Sequence, residues 1–142
     1  MYRKVLELAP QRIATRAYVS ICLLEQGRAA EALDVAEHES EDAYRLWALA
    51  IIRHDTGDRA ASDAALRQLS ETYAEDSAFQ IAEVHAVRHE PDAAFDWLER
   101  ACSQRDAGIA EMKTSSRLRV LRADSRWTEL LRRLGLESKA NG

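Results

Sequence analysis

Residues 43–52, AYRLWALAII, are apolar at every position except Arg45. A helix apolar around its whole circumference must be covered on more than one side. Thr56-Gly57-Asp58 ends this run, with Gly57 suited to the left-handed residue that closes a helix. The next segment repeats apolar or small residues at Ala61, Ala65, Leu66 and Leu69 and turns Asp63, Arg67 and Gln68 outward, an amphipathic helix. The pair reads as a helical hairpin in the middle of the chain. The same pattern predicts helices near 1–9, 13–25, 29–40, 43–55, 59–74, 76–88, 91–104, 116–122 and 125–134, with a short turn around 107–112. Asp124 or Ser125 can cap the last helix, and Gly135 ends it.

The hairpin turn recurs. Gln26-Gly27-Arg28 precedes AAEALDVA, Thr56-Gly57-Asp58 precedes RAASDAAL, and His89-Glu90-Pro91 precedes DAAFDWLERA. A small residue follows each turn, at Ala32, Ser62 and Ala94, spaced by 30 and 32. Such a residue lets the second helix cross close to the first. Helix, turn, helix with a small crossing residue, at a period just over thirty, is the pattern of stacked helical hairpins.

On these residues the chain resembles tetratricopeptide repeat proteins. The turn glycines match at Gly27 and Gly57 and the crossing residues at Ala32 and Ala94, with Ser62 a variant. The family repeat is about 34 residues, so these are short. His89 stands where the third turn would have glycine, and His85 where the family has a large aromatic. YRKVLELAP resembles the closing helix of a preceding repeat, ended by Pro10. The chain is thus expected to begin mid-repeat, as a piece of a longer protein or a relative with a shortened start. The end of the chain, with Leu121, Arg122, Asp124, Arg126, Trp127, Leu130, Leu131, Gly135 and Leu136, resembles the close of repeat arrays in bacterial multidomain regulators; Ser115-Ser116 replaces a common Asp-Pro there. The resemblance implies an all-α fold, a right-handed α-α superhelix of stacked hairpins. Repeats are expected over 1–112, capping helices over 113–136 and a frayed tail over 137–142.

Composition adds limits. The 142 residues suit one folded domain, with 46% apolar residues and only two prolines. The sequence has no run of about 18 apolar residues. MYRKVLELAP carries an acidic residue in its apolar part and does not read as a signal peptide. Cys22 and Cys102 fit no zinc or disulfide framework and are expected as buried, reduced thiols, which favours a cytoplasmic setting. Residues 1–112 hold 12 Lys/Arg against 21 Asp/Glu, and residues 113–142 hold 8 against 3. The basic end is interleaved with leucines. An arginine face docked on its own acidic neighbour is therefore expected rather than a nucleic-acid surface.

No phosphate-binding glycine loop, GxSxG, HExxH or CxxC is present, so no enzyme or cofactor is expected. His85 and His89 share a face if one helix carries both, with Glu83 and Glu90 nearby. A metal site needs a third or fourth ligand, and none is placed, so they read as structural. His38 and His54 read as surface or groove positions, and Glu37, Glu39, Glu41 and Asp42 as a solvated helix end. In the resemblance, the first helix of each hairpin lines a concave groove. Its expected lining is Ala14, Ala17, Ile21 and Leu24, then Tyr44, Trp47, Ile51 and His54, then Phe79, Glu83 and Ala86. That groove is apolar and lacks the Lys, Arg and Asn set with which the family clamps a C-terminal carboxylate. The alternative reading of Trp47 is plain core. The expected function is a non-catalytic protein-interaction module that takes a partner helix, an extended peptide or a second copy. The alternative is a regulatory or dimerisation domain of a longer bacterial signalling or transcription protein. Metal binding and nucleic-acid binding are the weaker readings.

Overall fold

The computed structural model describes residues 14–135. The expected helix over 1–9, its terminating Pro10, Leu136 and the tail over 137–142 lie outside the described residues. Seven α-helices and two 3-10 segments follow one another, with no strand among the described residues. They are α1 (Thr15–Glu25), α2 (Ala29–Glu37), α3 (Asp42–Asp55), α4 (Arg59–Tyr73), α5 (Ala78–Val87), α6 (Pro91–Ser103), η1 (Ala107–Glu111), η2 (Ser116–Leu121) and α7 (Ser125–Leu134). The chain is all-α. Its contacts divide it into two compact units between Ser77 and Ala78.

In the first unit α1 pairs with α2 and α3 with α4, and α3 also touches α1 and α2. Both hairpins turn on a left-handed glycine. At Gly27 (φ 79°) the Gly27 and Arg28 N–H groups donate to the Leu24 and Leu23 carbonyls at 3.0 and 2.9 Å. At Gly57 (φ 85°) the Gly57 and Asp58 N–H groups donate to His54 and Arg53 at 3.1 and 2.8 Å. This pair of bonds satisfies helix-end carbonyls that would otherwise lack partners. Asp58 then caps α4 by accepting from the Ala61 N–H. The crossing residues Ala32 and Ser62 are fully buried, and the Ser62 hydroxyl donates to the Ala50 carbonyl at 2.8 Å.

One acidic residue departs from expectation. Glu39, read as part of a solvated helix end, is buried. Its Oε1 accepts the Ala17 N–H in the first turn of α1 and its Oε2 accepts the Glu41 N–H, both at 2.9 Å. α1 has no cap from its own preceding residue, and a carboxylate at a helix N-terminus meets both the open N–H groups and the positive end of the dipole.

In the second unit α5 pairs with α6 through His89, which takes φ 60°, with bonds from the His89 and Glu90 N–H groups to Ala86 and His85 at 3.0 and 2.9 Å. The third turn thus copies the two glycine turns with a non-glycine residue. Pro91 starts α6, where its missing N–H is not needed. Arg105 (φ 55°) ends α6 in the same way. Asp106 then accepts the Gly108 N–H at 2.8 Å through Oδ1 and the Phe79 N–H at 3.1 Å through Oδ2, tying η1 to the start of α5. Gly108 is needed for close approach, since a Cβ there would stand 2.7 Å from the Phe79 side chain.

Phe79, Ala94, Phe95, Leu98, Met112, Leu118, Leu121, Trp127 and Leu130 form one core. The η2 and α7 segments, expected from the sequence as capping helices, share the core of the third hairpin. The helix expected over 116–122 is a 3-10 helix. Its three-residue period puts Leu118 and Leu121 on one buried ridge and Arg119 and Arg122 on an exposed one. Asp124 caps α7 by accepting the Arg126 N–H, and Gly135 (φ 71°) ends it.

The cysteine expectation needs correction. Cys22 is exposed and Cys102 half-buried. α1 buries Ala17, Val19, Ser20, Ile21 and Leu23, which leaves position 22 outward. At Cys102 burial, then the charge of Glu99, pushes the thiol above its ordinary range, so it stays neutral.

Candidate functional site

The residues expected to line a groove are mostly inside the protein. Ala17, Ile21, Trp47, Ile51, Phe79 and Glu83 are buried, with Trp47 and Phe79 at 0% exposure, and Ala14 and Ala86 are buried as well. Only Leu24, Tyr44 and His54 keep partial exposure. The partial exposure that a groove tryptophan requires is absent at Trp47, which belongs to the core. The cause is the all-round apolar character of α3, whose Leu46, Trp47, Ala48, Ala50, Ile51 and Ile52 are all buried.

What does reach the surface of the first unit is an aromatic group shared by α1 and α3. Tyr18 and Tyr44 are half-buried, with ring centroids 5.9 Å apart, and they stand 5.3 and 6.1 Å from the Trp47 ring. The tilted and edge-on arrangements are those that aromatic quadrupoles favour. Tyr18 was not among the residues singled out from sequence. Its available signal was its place on the same helix as Ala17 and Ile21, one residue off their stripe.

The histidine pair does not share a helix face. α5 ends at Val87, and His89 stands beyond it in the left-handed turn. His85 Nδ1 lies 2.8 Å from Glu90 Oε1, and Arg88 Nε donates to the same oxygen at 3.2 Å. Burial would raise the Glu90 carboxyl, but the hydrogen bonds from His85 and Arg88 outweigh it and hold the group below its ordinary value. No group of three or more His, Cys, Asp or Glu is placed to hold a metal ion among the described residues.

Glu83, expected at the groove, sits in a buried polar cluster instead. Its Oε2 accepts from the Ser115 hydroxyl at 2.6 Å and from Arg117 Nε at 2.8 Å. Burial pushes the carboxyl above its ordinary value, while Arg117 and Ser115 pull it partly back. A buried carboxylate with one charged and one neutral donor joins η2 to α5 over more than thirty residues of sequence, and it marks structure rather than a cleft.

The basic end of the chain docks on its acidic neighbour, as its leucine interleaving implied. Arg117 pairs with Glu83, Arg126 with Asp92 at 2.9 Å, and Arg133 with Glu99. Arg126 also lies 4.5 Å from the Phe95 ring centroid and hydrogen-bonds Asp124, which is held down to about 2 chiefly by those bonds. Lys113 and Arg119 remain exposed and make no ion pair among the described residues.

Two recesses open on the second unit. The larger, about 560 Å³, is lined by Phe95 and by Glu99, Arg126 and Arg133 among others. The smaller, about 260 Å³, is bounded by Ala86, His89, Pro91, Val120, Leu121 and Asp124. No helix among the described residues is long and apolar enough to cross a membrane. Comparison of the chain with protein-family models, curated proteins and solved structures finds no match in any of the three.

Proposed function

We propose that this chain is a non-catalytic protein-interaction module built of tetratricopeptide-like hairpins in a right-handed superhelix. The observation that carries the reading is the repeated helix-end geometry. Turns at Gly27, Gly57 and His89 share left-handed φ and the same two hydrogen bonds, and each is followed by a fully buried small residue, Ala32, Ser62 or Ala94. Equivalent hairpins present the same helix at each step, which is how such folds build an extended binding surface. In the first unit that surface centres on Tyr18 and Tyr44, since half-buried aromatic side chains carry much of the energy of protein interfaces. The partner is a helix or an extended peptide with an apolar face.

Selection of a peptide library on the full chain tests the reading. A selected peptide should bind the unaltered chain, and Tyr44→Ala should weaken it by about tenfold or more, equivalent to about 1.4 kcal/mol, with little change in the urea midpoint. Failure to enrich any peptide, or binding indifferent to both Tyr18→Ala and Tyr44→Ala, would overturn it.

A further inference from the structure

The basic side chains at the end of the described chain fall into two sets. Arg117, Arg126, Arg132 and Arg133 each meet a carboxylate. Lys113, Arg119 and Arg122 are exposed and make no ion pair among the described residues.

The structure gathers the second set. The three-residue period of η2 sets Arg119 and Arg122 on one exposed ridge. Nη2 of Arg122 donates to the Lys113 carbonyl at 2.9 Å and to the Ser115 carbonyl at 3.4 Å, which brings the guanidinium against the backbone of Lys113. Carbonyl oxygens hold that group in place without neutralising its charge. Its remaining N–H groups therefore meet a partner with little rotamer freedom left to lose. Residues 112–123 contain no carboxylate, and Asp124 beyond them is engaged by Arg126 at 2.8 Å. Three positive charges thus stand together unneutralised on a chain whose net charge is −4.

We infer that this ridge docks an acidic segment of a partner protein, whose carboxylates are bound by Arg119, Arg122 and Lys113. The unneutralised charge sets the sign of the partner, and two further observations set its class. Residues 112–123 carry no aromatic side chain on which bases could stack. The negative balance of the chain as a whole also opposes a long nucleic-acid polyanion. Exposed ion pairs are individually weak, so the contact is transient and acts on orientation and association rate.

The test is fluorescence anisotropy of the full chain with a labelled short peptide of aspartates. The asparagine peptide of the same length and a single-stranded oligodeoxynucleotide of equal charge are run beside it. At an ionic strength of about 0.1 M, exposed charges more than about 10 Å apart are largely screened, so the readout is local. The aspartate peptide should bind at least about tenfold more tightly than either control, and about 1 M salt should remove the binding. Lys113→Gln combined with Arg119→Gln should weaken it at least about tenfold, with an unchanged urea midpoint because both side chains are exposed. Arg132→Gln combined with Arg133→Gln changes the net charge equally but removes arginines already held by Glu129 and Glu99. That variant should bind within about twofold of the unaltered chain. Equal losses in the two double variants would reduce the ridge to diffuse charge and overturn the inference. So would failure of the aspartate peptide to bind better than the asparagine peptide. Equal or tighter binding of the oligonucleotide would overturn it too, by assigning the ridge to nucleic acid.

Discussion

His89→Gly should stabilise the protein. His89 holds φ 60° at a helix end that, at Gly27 and Gly57, is made by glycine with the same hydrogen bonds. For an L-residue the left-handed region costs about 1–2 kcal/mol, which glycine does not incur. Against this, glycine enlarges the unfolded ensemble and costs about 0.4–1 kcal/mol. The imidazole is exposed, so little packing is lost. The difference leaves a net gain of about 0.5–1 kcal/mol. The reciprocal change, Gly57→Ala, should lose a similar amount. A Cβ at Gly57 would meet nothing within 4 Å, so the backbone strain stands alone. Urea unfolding followed by far-ultraviolet circular dichroism measures both. With a slope of about 1–3 kcal/mol per molar urea, midpoints should move by a few tenths of a molar, upward for His89→Gly and downward for Gly57→Ala. The slope itself should not change. A lower midpoint for His89→Gly would mean that the imidazole supports the turn, and the equivalence of the three turns would fall with it.

Two further outcomes follow from burial. Trp47→Ala should cost about 3–5 kcal/mol in urea unfolding, the size of a buried aromatic truncation, because Trp47 is fully buried between Tyr18 and Tyr44; a loss well under half of that would return it to a partly exposed surface. Glu83 is raised above its ordinary value of 4.5 by burial, so folding takes up a proton there. The stability it contributes is present below 4.5 and lost as pH rises through the raised value. The stability of the unaltered chain minus that of Glu83→Gln should therefore fall as pH rises from mildly acidic to neutral. A difference that grows with pH would show that Arg117 and Ser115 outweigh burial.

Much of the architecture was written locally. Helix ends were legible because their signals lie within a few residues: Gly27 and Gly57 at the turns, Pro91 at the start of a helix, Asp124 before the last one. The small residues Ala32, Ser62 and Ala94 marked the crossings because a buried crossing tolerates little else. The basic end was read correctly as well, since leucines every few positions left its arginines only an outer face, and three of them meet carboxylates of α5 and α6.

Which side of each helix meets solvent was decided only by the tertiary structure. In α3 nearly every residue is apolar, so no stripe distinguishes a groove from a core, and the periodic spacing of Tyr44, Trp47 and Ile51 could not separate a half-exposed tyrosine from a buried tryptophan. Long-range polar partners were equally hidden. Glu39 finds the Ala17 N–H across 22 residues, Asp106 finds Phe79 across 27 and Arg117 finds Glu83 across 34. A carboxylate that satisfies a distant helix end looks, in sequence, like any solvated acid, because what sets its role is the backbone folded against it. His89 shows the same division from the other side. The local pattern located a turn there, but only the folded backbone, closing both hydrogen bonds at φ 60°, shows that a histidine does the work of a glycine.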